Sequence, residues 1–105
     1  MGRNVEDASD LKMSALVFRC GPHKLRIPAR EVVCVLPWKL ATSLPIREDG
    51  FRGTIGYAGI AVPIVDIAAS GGEPAQPTSA KSVVAVLDVD GSLCGLLASS
   101  VLTVY

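Results

Sequence analysis

Aromatic side chains are scarce in this sequence, with one Trp, two Tyr and two Phe among 105 residues. So few rings supply no row of stacking platforms for nucleobases, and the core has to be built from Val, Leu, Ile and Ala. Net charge is lacking too: ten basic residues cancel ten acidic ones, which removes the electrostatic footprint of a protein that binds nucleic acid or an anionic membrane. No apolar run approaches the length of a membrane span. The first residues, with Arg3, Glu6, Asp7 and Asp10, lack the hydrophobic segment of a signal peptide. These absences lead to the expectation of a cytoplasmic protein.

Cysteine usage agrees with that expectation. Cys20, Cys34 and Cys94 are odd in number, far apart and each flanked by apolar residues, so they read as reduced thiols acting as small hydrophobes. Cys20 and His23 have the C-x-x-H spacing of half a metal site. A structural zinc needs four ligands, and with a single histidine the chain offers no second pair. No metal and no cofactor are expected.

What the sequence does have is aliphatic residues: half of it is hydrophobic. A single domain of this length buries roughly 65% of its unfolded surface, a modest core. Residues 1–13 are polar without periodicity and read as a disordered N-terminal tail, leaving residues 14–105 as one domain. Strands are expected at Ser14 to Cys20 and Lys24 to Ile27 around a Gly21-Pro22-His23 turn, then at Val32 to Leu36 after one helical turn over Ala29-Arg30-Glu31. Pro37 to Gly50 is irregular, with Trp38, Leu44 and Ile46 as anchors.

The stretch Arg52 to Ala69 organises the rest. Glycines at 53, 56 and 59 lead into the aliphatic strand Ile60 to Val65, and Pro63 within it, having no N–H, predicts a sheet edge or a bulge. The G-x-x-G-x-x-G spacing leads into a strand rather than opening a long helix, which rejects a phosphate loop. Asp66 before Ile67-Ala68-Ala69-Ser70 reads as the cap of one helical turn. Ser70 to Ser82 reads as a flexible, exposed loop. Ser82 to Val89 and Ser92 to Leu97 form a hairpin about Asp90-Gly91, a preferred pair for a tight turn, and Val101 to Tyr105 a last strand. Seven or eight short strands with almost no helix predict a small all-β barrel or sandwich.

Asp88 and Asp90 could share one face of a strand, yet they flank a hairpin tip, where aspartate suits turn chemistry. A Cys20–His23 nucleophile would need an orienting third group, and none is nearby. An enzyme is therefore not expected. Val32, Ile55, Tyr57, Ile60, Leu96, Val101 and Tyr105 exceed the needs of one small core and suggest a contact surface. A small barrel that binds nucleic acid or a small ligand is the competing expectation, because fold alone does not decide function.

Six segments resemble the CheW-like domains that couple bacterial chemoreceptors to their histidine kinase. They are L-V-F-R-C-G at 16 to 21, I-P-x-x-x-V at 27 to 32 with Val35-Leu36 after it, Leu44-Pro45, G-x-I-x-Y-x-G at 53 to 59, V-P-I-V-D-I at 62 to 67, and G-L-L at 95 to 97 followed by Val101. The resemblance implies two small, intertwined SH3-like β-barrels with very little helix. It also implies a non-catalytic adaptor with an apolar groove for the helical tip of a chemoreceptor and a barrel surface for the regulatory domain of a CheA-type kinase. Carried onto this chain, the partner-binding residues would be Val32, Cys34, Ile55, Tyr57, Ala58, Gly59, Ser99 and Val101.

Three departures accompany the resemblance. Position 58 is Ala where the family usually has Arg, and Ala98-Ser99 stand where Val-Asp is usual. Family members also continue for some tens of residues past this point, which leads to the expectation of an unpaired barrel edge met by self-association, strand exchange or a partner.

Overall fold

The computed structural model describes residues 15–45 and 49–104. The expected tail at 1–13, and with it Ser14, Ile46 and Tyr105, lies outside the described residues. The first hairpin pairs β1 (Ala15–Cys20) with β2 (His23–Pro28), Cys20 opposite His23 and Ala15 opposite Pro28. Its turn is shorter than the sequence suggests, since His23 already belongs to β2. A 3-10 turn at Ala29–Glu31 leads into β3 (Val32–Pro37), and a second at Trp38–Leu40 precedes the two-residue β4 (Thr42–Ser43).

The expected central element follows as β5 (Phe51–Tyr57), β6 (Ile60–Val65) and a single helical turn, α1 (Ile67–Ser70). Then come β7 (Val83–Val89), β8 (Ser92–Ala98) and β9 (Ser100–Val104). They form a three-stranded sheet in the order β2-β1-β9 and a six-stranded sheet in the order β3-β7-β8-β6-β5-β4. The pairings are antiparallel except that β6 runs parallel to β8. The fold is all-β, with curled sheets that match the expected pair of small intertwined barrels.

Two hydrophobic cores explain why the chain is so aliphatic. Side chains alternate across a strand, and on β7 the alternation sends Ala85 and Leu87 into one core and Val84 and Val86 into the other. On β8, Leu96 and Ala98 join Phe18 and Cys20 in the first core, while Leu97 joins Ile55, Val62 and Ile64 in the second. The β7–β8 hairpin is thus a wall buried on both faces, and each large aliphatic in it contributes about 1.5–3 kcal/mol of burial. Ile55 at 2% and Leu96 at 5% exposure, which seemed surplus to one core, are needed once there are two.

Two expectations about the central stretch are corrected. β6 lies inside its sheet, between β8 and β5, and not at an edge. Pro63 is tolerated because it faces Thr54 of β5, whereas the parallel ladder to β8 begins only at Ile64 opposite Gly95. The register shift in this hairpin is on β5, between Phe51 and Gly53. The Ser70 to Ser82 connection is likewise not an exposed loop throughout: Gln76 and Ser82 are each 3% exposed and anchor it to the body.

Candidate partner-binding surface

The β5–β6 hairpin is clamped at its base and open at its tip. Asp66, at the end of β6, caps α1: its Oδ1 accepts from the amides of Ala68 and Ala69 at 3.1 and 3.3 Å. Its Oδ2 accepts from Arg52 Nη1 at 2.8 Å, an ion pair across the hairpin base. Gln76 closes the cluster from the following loop. Its amide donates to Asp66 Oδ2 at 2.8 Å, its side-chain Nε2 donates to Asp66 Oδ1 at 2.9 Å and to the Leu97 carbonyl at 3.0 Å, and its own carbonyl accepts from Arg52 at 3.0 Å. The Trp38 ring covers Arg52, whose guanidinium carbon lies 5.7 Å from the ring centroid.

Burial alone would push the Asp66 carboxyl up. The hydrogen bonds from Gln76, Ala69 and Arg52 outweigh that effect and hold it below its ordinary value of 3.8. The expected cap is therefore present, and it is also the hub that ties β5, β6, α1, β8 and the loop together. Neither Arg52 nor Gln76 carried a signal in the sequence. Arg52 is one charged residue at the start of a strand, and Gln76 sits between two prolines in a segment whose composition reads as solvent-exposed.

At the other end of the hairpin, Ala58 and Gly59 form the turn with φ of 51° and 79°. Both are exposed, and Ile60 beside them is 51% exposed. Tyr57 is half-buried against the second core, with Ile60 directly opposite it. Because β6 and β8 run parallel, the Ala58-Gly59 tip and the Asp90-Gly91 tip stand at the same end of the six-stranded sheet. The result is an aliphatic and aromatic rim where the second core meets solvent.

The eight residues expected to bind a partner are not gathered on one surface. Tyr57, Ala58 and Gly59 share the hairpin tip. Ile55 and Cys34 belong to the second core, Ile55 as a fully packed member and Cys34 half-buried beside Leu36 and Trp38. Val32 and Val101 pack on the first core. Ser99 sits between the sheets, its amide and hydroxyl both directed at the Arg19 carbonyl at 2.8 and 3.3 Å. Burial removes the Ile55 side chain from any contact surface, because its place on β5 turns it inward against Val62 and Ile64.

The remaining chemical candidates have structural roles. Asp88 Oδ1 accepts from the Gly91 amide at 2.9 Å, and Asp90 takes the left-handed turn conformation with φ of 54°. His23 is exposed and bonds Glu73, a contact that joins the first hairpin to the Ser70 to Ser82 loop. Cys20 is fully buried, and among the described residues no three His, Cys, Asp or Glu side chains are grouped to hold a metal ion. No helix among the described residues is long and apolar enough to cross a membrane.

A model of the CheW-like domain family matches residues 14–105. A probable chemotaxis protein CheW of Rhizobium etli is 34% identical over 87 residues, which cover 82% of this chain and 56% of that protein. The crystal structure of scaffolding protein TtCheW from Thermoanaerobacter tengcongensis superposes with a TM-score of 0.72 at 21% identity, over 87% of this chain and 59% of that one, a likeness of fold. The chain spans a little more than half the length of either relative.

Proposed function

Since the chain belongs to the CheW-like domain family, we propose that it is a non-catalytic adaptor, coupling chemoreceptors to a CheA-type histidine kinase within a cytoplasmic chemosensory array. The observation that carries this reading is the β5–β6 hairpin. It is locked at its base by Arg52, Asp66 and Gln76 and presents Tyr57, Ala58, Gly59 and Ile60 at a rim continuous with the second core. An amphipathic helix laid on such a rim finds apolar contacts at helical spacing on a support that does not have to reorganise. The chemoreceptor tip is such a helix. The kinase regulatory domain is the second partner, met on the barrel surface that includes Val32 and Val101.

The test is titration of the chain with a receptor-tip helical hairpin and, separately, with the kinase regulatory domain. Tyr57→Asp places a charge on the rim and abolishes receptor binding while urea unfolding stays cooperative; Val32→Asp does the same for the second face. Retained binding of both partners by both variants would overturn the assignment. Ala58→Arg restores the side chain usual in the family at an exposed position and strengthens receptor binding.

A further inference from the structure

The chain is neutral as a whole, but its charges are segregated by the fold. In the register of the first hairpin Arg19 stands opposite Lys24 and Val17 opposite Arg26, so these four side chains share one face. Phe18 opposite Leu25 and Leu16 opposite Ile27 occupy the other face, against the first core. The strands of this sheet, A-L-V-F-R-C, H-K-L-R-I-P and S-V-L-T-V, contain no carboxylate. The acidic residues of the described chain lie off its strands: Glu31 in the 3-10 turn after Pro28, Asp49 beside Phe51, Asp66 bound to Arg52, Glu73 against His23 at the first residue of β2, and Asp88 and Asp90 at the β7–β8 tip. The outward face of the three-stranded sheet is cationic.

β2 is also an outer strand, hydrogen-bonded to β1 alone among the described strands. Lys24 and Arg26 are exposed, while Leu25 and Ile27 are half-buried and still offer apolar area at the rim of the first core. Arg26 has an interaction of its own, so the weight falls on Lys24 and Arg19. We propose that the outer edge and face of β2 dock an extended protein segment in which acidic and aliphatic residues alternate. The added strand pairs its backbone with His23 to Ile27, sets its carboxylates beside Lys24 and the Arg19 face, and its aliphatic residues beside Leu25 and Ile27. Pro28, with no N–H, ends the ladder, giving a footprint of five residues, about 17 Å.

Charge chooses among the occupants. A second copy of β2 would set lysine and arginine against lysine and arginine, so the same side chains that admit an acidic strand repel a copy of the chain. Nucleic-acid binders neutralise about six to ten phosphates, more than this face can meet. An acidic strand needs only two or three cations. The proposal stands apart from the hairpin-tip reading, since β2 contributes nothing to the β5–β6 rim.

The experiment uses the full chain and a fluorescent octapeptide of alternating Glu and Val, compared with a Lys–Val octapeptide, phosphatidylserine vesicles and a single-stranded oligonucleotide. The Glu–Val peptide binds, weakens as salt is raised, and slows amide exchange at residues 23–27. Lys24→Glu reduces its affinity by roughly tenfold and turns the preference toward the Lys–Val peptide, with Lys24→Gln intermediate. Tyr57→Asp changes none of this, so failure here and failure of the receptor reading are told apart. Equal binding of the two peptides, indifference to Lys24→Glu, slowing confined to other residues, or preference for vesicles or oligonucleotide would each overturn the proposal.

Discussion

Arg52 and Asp66 form a buried ion pair at the base of the β5–β6 hairpin, at 2.8 Å with side-chain exposures of 7% and 0%. Taking two charges out of water is costly, and the pair survives because every further hydrogen-bonding direction of the carboxylate is filled by Gln76, Ala68 and Ala69. Removing one partner strands the other. Arg52→Ala is therefore expected to cost about 3–5 kcal/mol in urea unfolding, a large fraction of the 5–15 kcal/mol typical of a small domain. Arg52→Lys keeps the charge but not the planar guanidinium, whose Nη1 donates to both Asp66 and the Gln76 carbonyl while its face lies under Trp38, and falls between. A loss well under about 1 kcal/mol for Arg52→Ala would show that the pair behaves as a surface salt bridge.

The same site sets the acid limit of the fold. The folded state holds the Asp66 carboxyl below its ordinary value of 3.8, so the unfolded chain takes up this proton first as pH falls. The stabilisation is complete above that ordinary value and is lost as pH falls through the lower, folded one. The urea midpoint of the native protein should fall below about pH 4. In Asp66→Asn, which keeps one acceptor oxygen for the helix amides, the overall stability is lower and the pH dependence in this window is flatter. Parallel curves for the two proteins would place the titrating group elsewhere.

Cysteine supplies the alkaline counterpart. Burial raises the Cys20 thiol to about 11 from 9.0, with the nearby Asp66 charge adding to the effect. Here the unfolded state loses its proton first, so the stability held below pH 9 is lost as pH rises toward 11. Cys34 and Cys94 are also raised by burial but are only half-buried. Maleimide labelling followed by mass spectrometry at pH 7.5 should modify Cys34 and Cys94 well before Cys20, which reacts only on global unfolding. Early labelling of Cys20 would mean that the first core opens locally.

Much of the architecture was legible because local chemistry decided it. Asp90-Gly91 can close only a tight turn, Asp66 can cap the turn that follows it, and V-V-A-V-L beside G-L-L-A is apolar at every position because both its faces are buried. The misreadings have one origin, which is that long-range pairing has no local signature. Pro63 looked like an edge residue because its own strand does not reveal that β8 joins only from Ile64 onward. Gln76 looked exposed because nothing in E-P-A-Q-P announces that Asp66 needs two more donors. Counting charge over the whole chain hid the cationic face for the same reason: only strand register puts Arg19 beside Lys24.

The three glycines of the central stretch should separate under substitution, although the sequence spaces them evenly. At Gly53 the backbone has φ of 132°, and a Cβ there would stand 2.1 Å from the Thr42 carbonyl oxygen, where β4 pairs alongside β5 with Ser43 opposite Gly53. Gly53→Ala therefore meets both a strained dihedral and immovable backbone and should cost at least about 2 kcal/mol. Gly56 has no atom within 4 Å of its added Cβ and no left-handed φ, so Gly56→Ala should be nearly neutral. Gly59 has open space but a φ of 79°, and Gly59→Ala should cost about 1 kcal/mol through strain alone. Its neighbour Ala58 already carries that strain at 51°, so Ala58→Gly relieves it and should match or exceed the native midpoint in urea. If Gly53→Ala and Gly56→Ala unfolded at the same urea concentration, the close approach of β4 to β5 at Gly53 would be refuted, and with it the support β4 gives the hairpin.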